Sequence, residues 1–362
     1  MKTELKVVIG VLLLIAIVPL TYLTVAYLTY DSFTETQVLY YTPHEPSGVE
    51  HLSLGMDIGH FRIRYNETPT SYYAQVNVDV QVSGPFVAWH SYEDYFQPII
   101  WENESVSSSK FVLKSKDRAW HPTTWLVKRN VSVTVILRTD IVYEINATTT
   151  AGSVDLSIPK GVSTDDIALT TTTGEVSLNA AENASFHGDV TLTTSVGSAE
   201  LYAEKATFTQ DIWGTATTGE VTLHFSRCVF GGNVIGDVTT GDLDVFTYNA
   251  KYTRENTLNL SATTGDIDLE IFQYVDMNAD VTGNVVVTTG SIELLYRDNS
   301  PLIGSKFVGE TNVGQLDYIN SGGFTKEGSV FSSDDYETAT HTYEFALIST
   351  VGSIEVDGAS NI

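Results

Sequence analysis

Acidic residues recur at one fixed position of this 362-residue sequence and are the first candidates for chemistry. Nine short segments carry a glycine, and the residues three positions after it are Asp155, Ser177, Glu200, Thr222, Asp244, Asp268, Glu293, Asp317 and Glu355. Two neighbouring segments read Gly-Asp-x-Asp and contribute Asp242, Asp244, Asp266 and Asp268. Because Ca²⁺ takes six to eight oxygen ligands, these four carboxylates predict a calcium site. The alternative is a solvated acidic face, since the Gly-Gly-x-Gly-x-Asp signature of calcium-binding β-rolls is absent.

Catalytic chemistry has weaker support. Polysaccharide-active enzymes with stacked β-coils need clustered carboxylates, or a basic residue beside calcium, on one sheet. The histidines and arginines of the repeats fall at no common position: His187, His224, His341, Arg227, Arg254 and Arg297. Cys228 is the one cysteine, so it forms no disulfide within the chain, and a packed or surface thiol without special reactivity is expected. We therefore expect a protein that is not an enzyme and has no catalytic residue or resident cofactor, calcium aside.

The amino-acid composition limits the classes of partner that the protein can bind. There are 19 lysines and arginines against 45 aspartates and glutamates, which gives a formal charge of -26 and a pI near 4.4. Such a surface repels phosphate backbones, so nucleic-acid binding is not expected. The apolar fraction of 42% is sufficient for a packed core and excludes wholesale disorder.

The N-terminal residues predict the location of the protein. No charged residue occurs from Val7 to Tyr30, a stretch that as a helix would span about 36 Å and cross a bilayer core of about 30 Å. Lys2 and Lys6 precede it, so we expect a cytoplasmic tail (1–6), a transmembrane helix (7–30) and an extracellular remainder. A signal peptide cleaved near Ala26 is the alternative. Export agrees with six candidate glycosylation sites, at Asn66, Asn103, Asn130, Asn146, Asn183 and Asn259.

A repeat of 22 to 25 residues dominates the rest of the chain. Its segments, such as TTTTGEVSL, TATTGEVTL and SATTGDIDL, have their glycines at Gly152, Gly174, Gly197, Gly219, Gly241, Gly265, Gly290, Gly314 and Gly352. Apolar residues follow each glycine at the second and fourth positions, a period of two that predicts a strand with one buried face. An apolar residue seven positions before the glycine predicts a second strand, and the glycine permits a tight corner between the two.

One unit of this length cannot bury its own apolar face, whereas stacked units can. The sequence therefore predicts an all-β fold, a parallel β-solenoid (β-helix) of about nine coils over residues 141–362. An antiparallel sandwich is the alternative. The last step of 38 residues predicts an insertion at about 320–340. Residues 31–140 predict a β-rich N-terminal cap, with one degenerate coil at Ile58–Ile63.

The cap also holds the aromatic segment Phe86–Trp101 (FVAWHSYEDYFQPIIW) and the further tryptophans Trp120 and Trp125. A platform that stacks on sugars is one interpretation of this segment. The other is the core of the cap.

The glycine segments, together with Ile158-Pro159-Lys160-Gly161-Val162, resemble the family of bacterial and archaeal envelope proteins known as putative adhesins, over residues from about 57 to the end. The resemblance implies a β-solenoid at the cell envelope and supplies no catalytic residue. The 38-residue step and the Trp-rich region depart from the usual pattern of that family.

Together these features predict a membrane-anchored, extracellular structural or adhesive protein of the cell envelope that binds glycans, surface proteins or copies of itself. The alternatives are a membrane-bound sensor or signalling accessory, and third a polysaccharide-active β-helix enzyme.

Overall fold

The computed structural model describes residues 2–42, 48–68, 70–105, 107–116 and 127–360, with the backbone alone for 2–14 and 103–105. Its longest helix is α1 (Lys2–Leu28), which contains Pro19. In the described part of the chain no helix combines the length and apolarity needed to cross a bilayer. The predicted membrane segment 7–30 is thus helical up to Leu28, and its role as a membrane span stays a prediction.

The rest of the described chain is mostly strand, as predicted. The cap contains β1 (Tyr30–Tyr41), β2 (Glu50–Asn66), β3 (Ala74–Pro85), a 3-10 turn (Val87–Trp89), α2 (Tyr92–Tyr95), β4 (Ile100–Ser105), β5 (Ser108–Leu113) and β6 (Lys128–Arg138). The repeats contain β7 (Tyr143–Ile158), β8 (Ser163–Thr164), β9 (Ile167–Ala180), β10 (Ser185–Phe186), β11 (Val190–Glu204), β12 (Thr207–Phe208), β13 (Ile212–Ser226), β14 (Val229–Phe230), β15 (Val234–Thr240), β16 (Leu243–Tyr248), β17 (Lys251–Tyr252), β18 (Asn256–Thr264), β19 (Ile267–Gln273), β20 (Val281–Thr289), β21 (Ile292–Asp298), β22 (Ile303–Val313), β23 (Leu316–Gly322), β24 (Phe324–Glu327), β25 (Val330–Ser333), β26 (His341–Val351) and β27 (Ile354–Ala359).

Each repeat forms one coil of the chain. Each strand pairs in parallel with the strand at the same position of the next repeat. Val221 of β13 lies opposite Leu243 of β16, which lies opposite Ile267 of β19. This confirms a mostly parallel sheet and shows that the antiparallel sandwich is wrong for the repeats. The alternating apolar residues point inward, and Leu201, Leu223 and Leu269 are fully buried in one continuous core.

The corner between the two strands of a coil requires glycine. Gly219 has a φ of +132°, which side chains of L-residues rarely adopt. A Cβ atom there would lie 1.8 Å from the carbonyl oxygen of Gly197 in the preceding coil. The stacked corners thus leave no space for a side chain, which explains the nine regularly spaced glycines.

Each coil from β8 to β17 has a third side that the sequence analysis missed. Two-residue strands form a second, parallel sheet of five strands in the order β17-β14-β12-β10-β8. It carries a stack of buried rings, with centroids 4.6 Å apart for Phe186 and Phe208, 5.8 Å for Phe208 and Phe230, and 5.5 Å for Phe230 and Tyr252. These aromatic residues occur eleven or twelve positions after the corner glycine, a signal that was present in the sequence.

The C-terminal coils do not stack in chain order. β20 and β21 pair with β26 and β27, and β22 and β23 pair with the far edges of β26 and β27. The last coil is therefore internal, and the coil that contains Gly314 is outermost. Segment 320–340 includes the hairpin β24–β25, in which β25 pairs antiparallel with residues 306–308 of β22. The hairpin thus covers residues 306–308 of the outermost coil.

At the N-terminal end, too, strands that are distant in the chain lie next to each other. β2 stacks on β7, with Gly59 opposite Gly152 and Phe61 opposite Val154, which confirms the degenerate coil predicted at Ile58–Ile63. The other edge of β2 pairs with β5 and β6, and then β3 and β1 follow in antiparallel order. The cap thus continues the repeat core and closes it with antiparallel strands.

Candidate functional site

The four predicted calcium ligands lie in two different rows of the stack. Asp244 lies opposite Asp268 in the neighbouring coil. The Asp242 carboxylate instead accepts a hydrogen bond from the backbone N–H of Asp266 (3.1 Å), and the Asp266 carboxylate accepts one from Ser291 (2.7 Å). Within the described residues, no group of three or more histidine, cysteine, aspartate or glutamate side chains could hold a metal ion. The calcium site stays a prediction, and two of its carboxylates serve as acceptors at the corner.

The outward side chains three positions after the corner form a continuous row, which we call the acidic row. In spatial order it contains Asp155, Ser177, Glu200, Thr222, Asp244, Asp268, Glu293, Glu355 and Asp317. Its last five coils are all acidic. Burial, and then the charges of Asp268 and Glu220, raise the pKa of Asp244 to about 6. The row is therefore a strip of crowded negative charge along the stack.

A groove of about 810 Å³ lies on the same face, beside the acidic row. The side chains five positions after the corner line one side of it: Ser157, Asn179, Tyr202 and His224, with Arg64 of β2 at the end. The ends of these strands and the residues directly after them line the other side, with Pro159, Ala181, Glu204 and Ser226. The groove therefore runs across four consecutive repeats, along the direction in which the coils stack.

An aromatic strip begins in this groove and continues past it; we call it the aromatic track. Its rings are Tyr202, His224, Phe246, Phe272, Tyr274 and Tyr248. The His224 and Phe246 rings stack with centroids 4.3 Å apart, and the other neighbours are separated by 5.6 to 6.4 Å. Tyr202 is 40% exposed. Burial lowers the pKa of His224, against the smaller opposing effect of Glu270, so the track favours a neutral ring there.

Ion pairs lie in the turns next to the groove, and of their residues Glu204 lines it. Glu182 accepts from Lys160 at 2.7 Å and from Lys205 at 2.6 Å, and these two lysines lower its pKa to about 2. Glu204 pairs with Arg227 at 3.1 Å. Exposed pairs of this kind contribute little stability. Their effect is that these turns carry little net charge, whereas the acidic row is strongly negative.

The aromatic segment of the cap is mainly core. Tyr92 stacks on Phe96 with centroids 5.2 Å apart, and both side chains are buried. The Trp101 indole donates to the carbonyl oxygen of Tyr40 at 3.1 Å. Trp89 alone among these rings is largely exposed, at 72%. The structure thus favours the core interpretation of Phe86–Trp101, while Trp120 and Trp125 lie outside the described residues.

The candidate glycosylation sites lie at the surface. Asn130, Asn146 and Asn183 are exposed, and Asn66 and Asn259 are half-buried. The side chain of Asn103 lies outside the described part. Asn183 has a φ of +60°. Lys205, Arg227 and Asn249 occupy the equivalent position in the next three repeats and also have a positive φ. Glycosylation stays a prediction at all six.

Sequence reasoning missed the groove and the aromatic track. The signal was three aromatic residues, Tyr202, His224 and Phe246, each five positions after a corner glycine in successive repeats. They face outward and therefore do not belong to the inward apolar pattern from which the strands were predicted.

Comparisons with known proteins give matches among solved structures only. No protein-family model matches the chain, and neither does any curated protein. Among solved structures, one match is named a "putative cell adhesion protein" from Clostridium sporogenes, with 13% identity over 90% of this chain and 99% of that one, at a TM-score of 0.25. Another is named a "putative adhesin" from Bacteroides fragilis, with 12% identity over 90% and 97%, at a TM-score of 0.26.

Proposed function

We propose that this chain is an adhesive protein of the cell surface, a β-solenoid rod that binds glycans in its groove. The aromatic track carries the proposal, because Tyr202 and His224 line the groove and the half-buried rings beyond them extend the apolar surface that sugars can contact. Asn179, Ser157 and Arg64 add hydrogen-bonding groups in the same groove. The proposed activity is binding rather than catalysis.

Membrane anchoring completes the proposed role. The stretch from Val7 to Tyr30 without a charged residue, preceded by Lys2 and Lys6, supports an N-terminal anchor with the rod outside. Alkaline extraction of membranes from cells that express the full chain tests it. An anchored protein stays with the lipid, whereas a peripheral or cleaved one is released.

A glycan array tests the binding role directly. The full chain in detergent should bind a defined subset of glycans, and Tyr202→Ala should weaken that binding about tenfold, the effect of losing one stacked ring. Trp213→Ala is the matched control, because Trp213 is also 40% exposed but lies in the part of β13 before the corner glycine Gly219, whereas the track residues follow the corner of their coils. An array without signal, or equal losses for both variants, would contradict the proposal.

Self-association is the second candidate. In the described chain β23 pairs with β27 along one edge, and Val313 and Ile319 beside that outer coil are 64% and 44% exposed. An open, partly apolar edge can pair with another chain. Light scattering of the full chain over a range of concentrations distinguishes an assembling protein, whose mass grows, from a monomeric one.

A further inference from the structure

The aromatic track runs along the direction in which the coils stack and repeats once per coil, as the sugars of a linear polymer would. Tyr202, His224 and Phe246 lie opposite one another in adjacent coils, so one ring follows the next about every 4.8 Å along the stack. Phe272 and Tyr274 extend the rings into the next coil. A sugar residue in an extended polysaccharide advances by a similar length. One residue of the polymer can therefore rest on each coil.

The charge beside the track selects among such polymers. Glu200 and Asp244 lie two positions before the track residues Tyr202 and Phe246. Asp268 lies four positions before Phe272, and by strand alternation all three carboxylates point to the same side of the sheet as the track. Glu270 stands in the track row itself, directly opposite Phe246. The chain as a whole carries a formal charge of -26. An anionic polysaccharide would be repelled here, and a cationic one would meet a carboxylate in most coils.

We propose that the ligand is a linear polysaccharide of amino sugars with free ammonium groups, lying along the stack with one sugar on each coil of the track. The inference rests on the glycan-binding function proposed above. The sugars contact the solvent-facing parts of the rings, of which His224 and Phe246 stack face to face on each other. The acidic row pairs with the ammonium groups. The ligand also relieves the repulsion between neighbouring carboxylates such as Asp244 and Asp268.

The test uses the full chain in detergent and isothermal titration calorimetry with β-1,4-linked glucosamine oligomers of two to eight residues. The track occupies the coils of Gly197, Gly219, Gly241 and Gly265, so affinity should rise with each added sugar up to four and then level off. Phe246→Ala should weaken the binding about tenfold. Trp213→Ala should leave it unchanged.

The charge requirement has its own comparison. N-acetylated oligomers of the same lengths should bind at least tenfold more weakly, and added salt should reduce the difference. The double variant Asp244→Asn with Asp268→Asn should weaken glucosamine binding and leave N-acetylated binding unchanged. Circular dichroism melts of each variant verify the fold.

The outcomes separate the two proposals. Equal affinity for both oligomer series, with a loss in Phe246→Ala, would overturn the amino-sugar inference and leave glycan binding in place. Tighter binding of uronic acid oligomers would overturn it as well. Failure of every glycan to bind in a way that depends on the track would overturn both proposals.

Discussion

Gly352 stacks directly on Gly290, although Gly314 lies between them in the chain. A Cβ atom on Gly352 would lie 1.8 Å from the Gly290 carbonyl oxygen, and one on Gly314 would lie 1.6 Å from that of Gly352. The hydroxyl groups of Ser291 and Ser353, one residue further on, lie 3.0 Å apart. The coil of Gly314 therefore gains its partner strand only when the C-terminal coil is placed beneath it.

Cysteine cross-linking tests this coil order. Glu293 lies opposite Glu355, so Glu293→Cys with Glu355→Cys places two Cα atoms about 5 Å apart and should form a disulfide. Asp317 lies one coil further, about 10 Å from Glu293, beyond the reach of about 7 Å. Peptide mass mapping under mild oxidation should thus find the first cross-link and not that of Glu293→Cys with Asp317→Cys. The reverse result would mean that the coils stack in chain order.

The corner glycines should be intolerant of any side chain. Gly219→Ala combines a strained φ with a contact to backbone, and we expect a loss of about 3 kcal/mol or more in the free energy of unfolding. Gly161→Asn is the control, because Gly161 has a φ of +74° with open space around it. Asn183 occupies the equivalent corner of the next coil. Urea denaturation followed by circular dichroism measures both, and similar losses in the two variants would refute the steric account.

Asp244 should make the protein less stable as pH rises. Its folded pKa of about 6 lies above the ordinary 3.8, so the folded state binds more protons than the unfolded state between these values. Stability is therefore lost as pH rises from about 4 to about 6. Asp244→Asn should raise the free energy of unfolding at pH 8 by about 1 kcal/mol, allowing for solvent screening, and change little at pH 4. Urea titrations at the two pH values check this, and an equal effect at both would exclude a titration origin.

Cys228 should be inert in the folded protein. Its side chain is fully buried, its thiol donates to the Ala203 carbonyl oxygen at 3.4 Å, and burial raises its pKa to about 12. At pH 8 the native chain should react with an aromatic disulfide reagent only on the timescale of unfolding, whereas in urea the reaction should be complete within minutes. Rapid labelling of the native chain would show that this part of the core opens.

The sequence predicts the local geometry of the repeats well, because the same constraint acts in each coil. A glycine such as Gly174 is needed wherever one corner stacks on another, and Val176 and Leu178 alternate wherever one face is buried. The degenerate coil at Gly59 was recognisable for the same reason.

Coil order could not be predicted from that pattern. The coils of Gly314 and Gly352 share the same inward pattern, so either fits beside Gly290. The hairpin β24–β25 distinguishes them, because Phe331 lies opposite Phe307 and stacks on Phe324 with centroids 4.6 Å apart. The hairpin therefore packs against the coil of Gly314. The last coil lies between that coil and the coil of Gly290.

The repeat pattern could not predict the candidate site either. A groove forms where the outward residues differ from coil to coil, as Asn179, Tyr202 and His224 do, and periodicity contains no information about such positions. The calcium hypothesis stays a prediction. The repeat pattern could not show that the Asp242 and Asp266 carboxylates accept backbone hydrogen bonds from the next coil.

Hydroxyl-radical footprinting of the full chain, with and without a bound glucosamine oligomer, tests the central claim most directly. The oligomer should protect Tyr202, Tyr248 and Tyr274 of the aromatic track from oxidation, and should leave the equally exposed Trp213 and the exposed Trp89 as reactive as before. Protection of Trp89 or Trp213, or unchanged oxidation of the track at saturating oligomer, would contradict the claim that this face of the sheet is the glycan-binding surface.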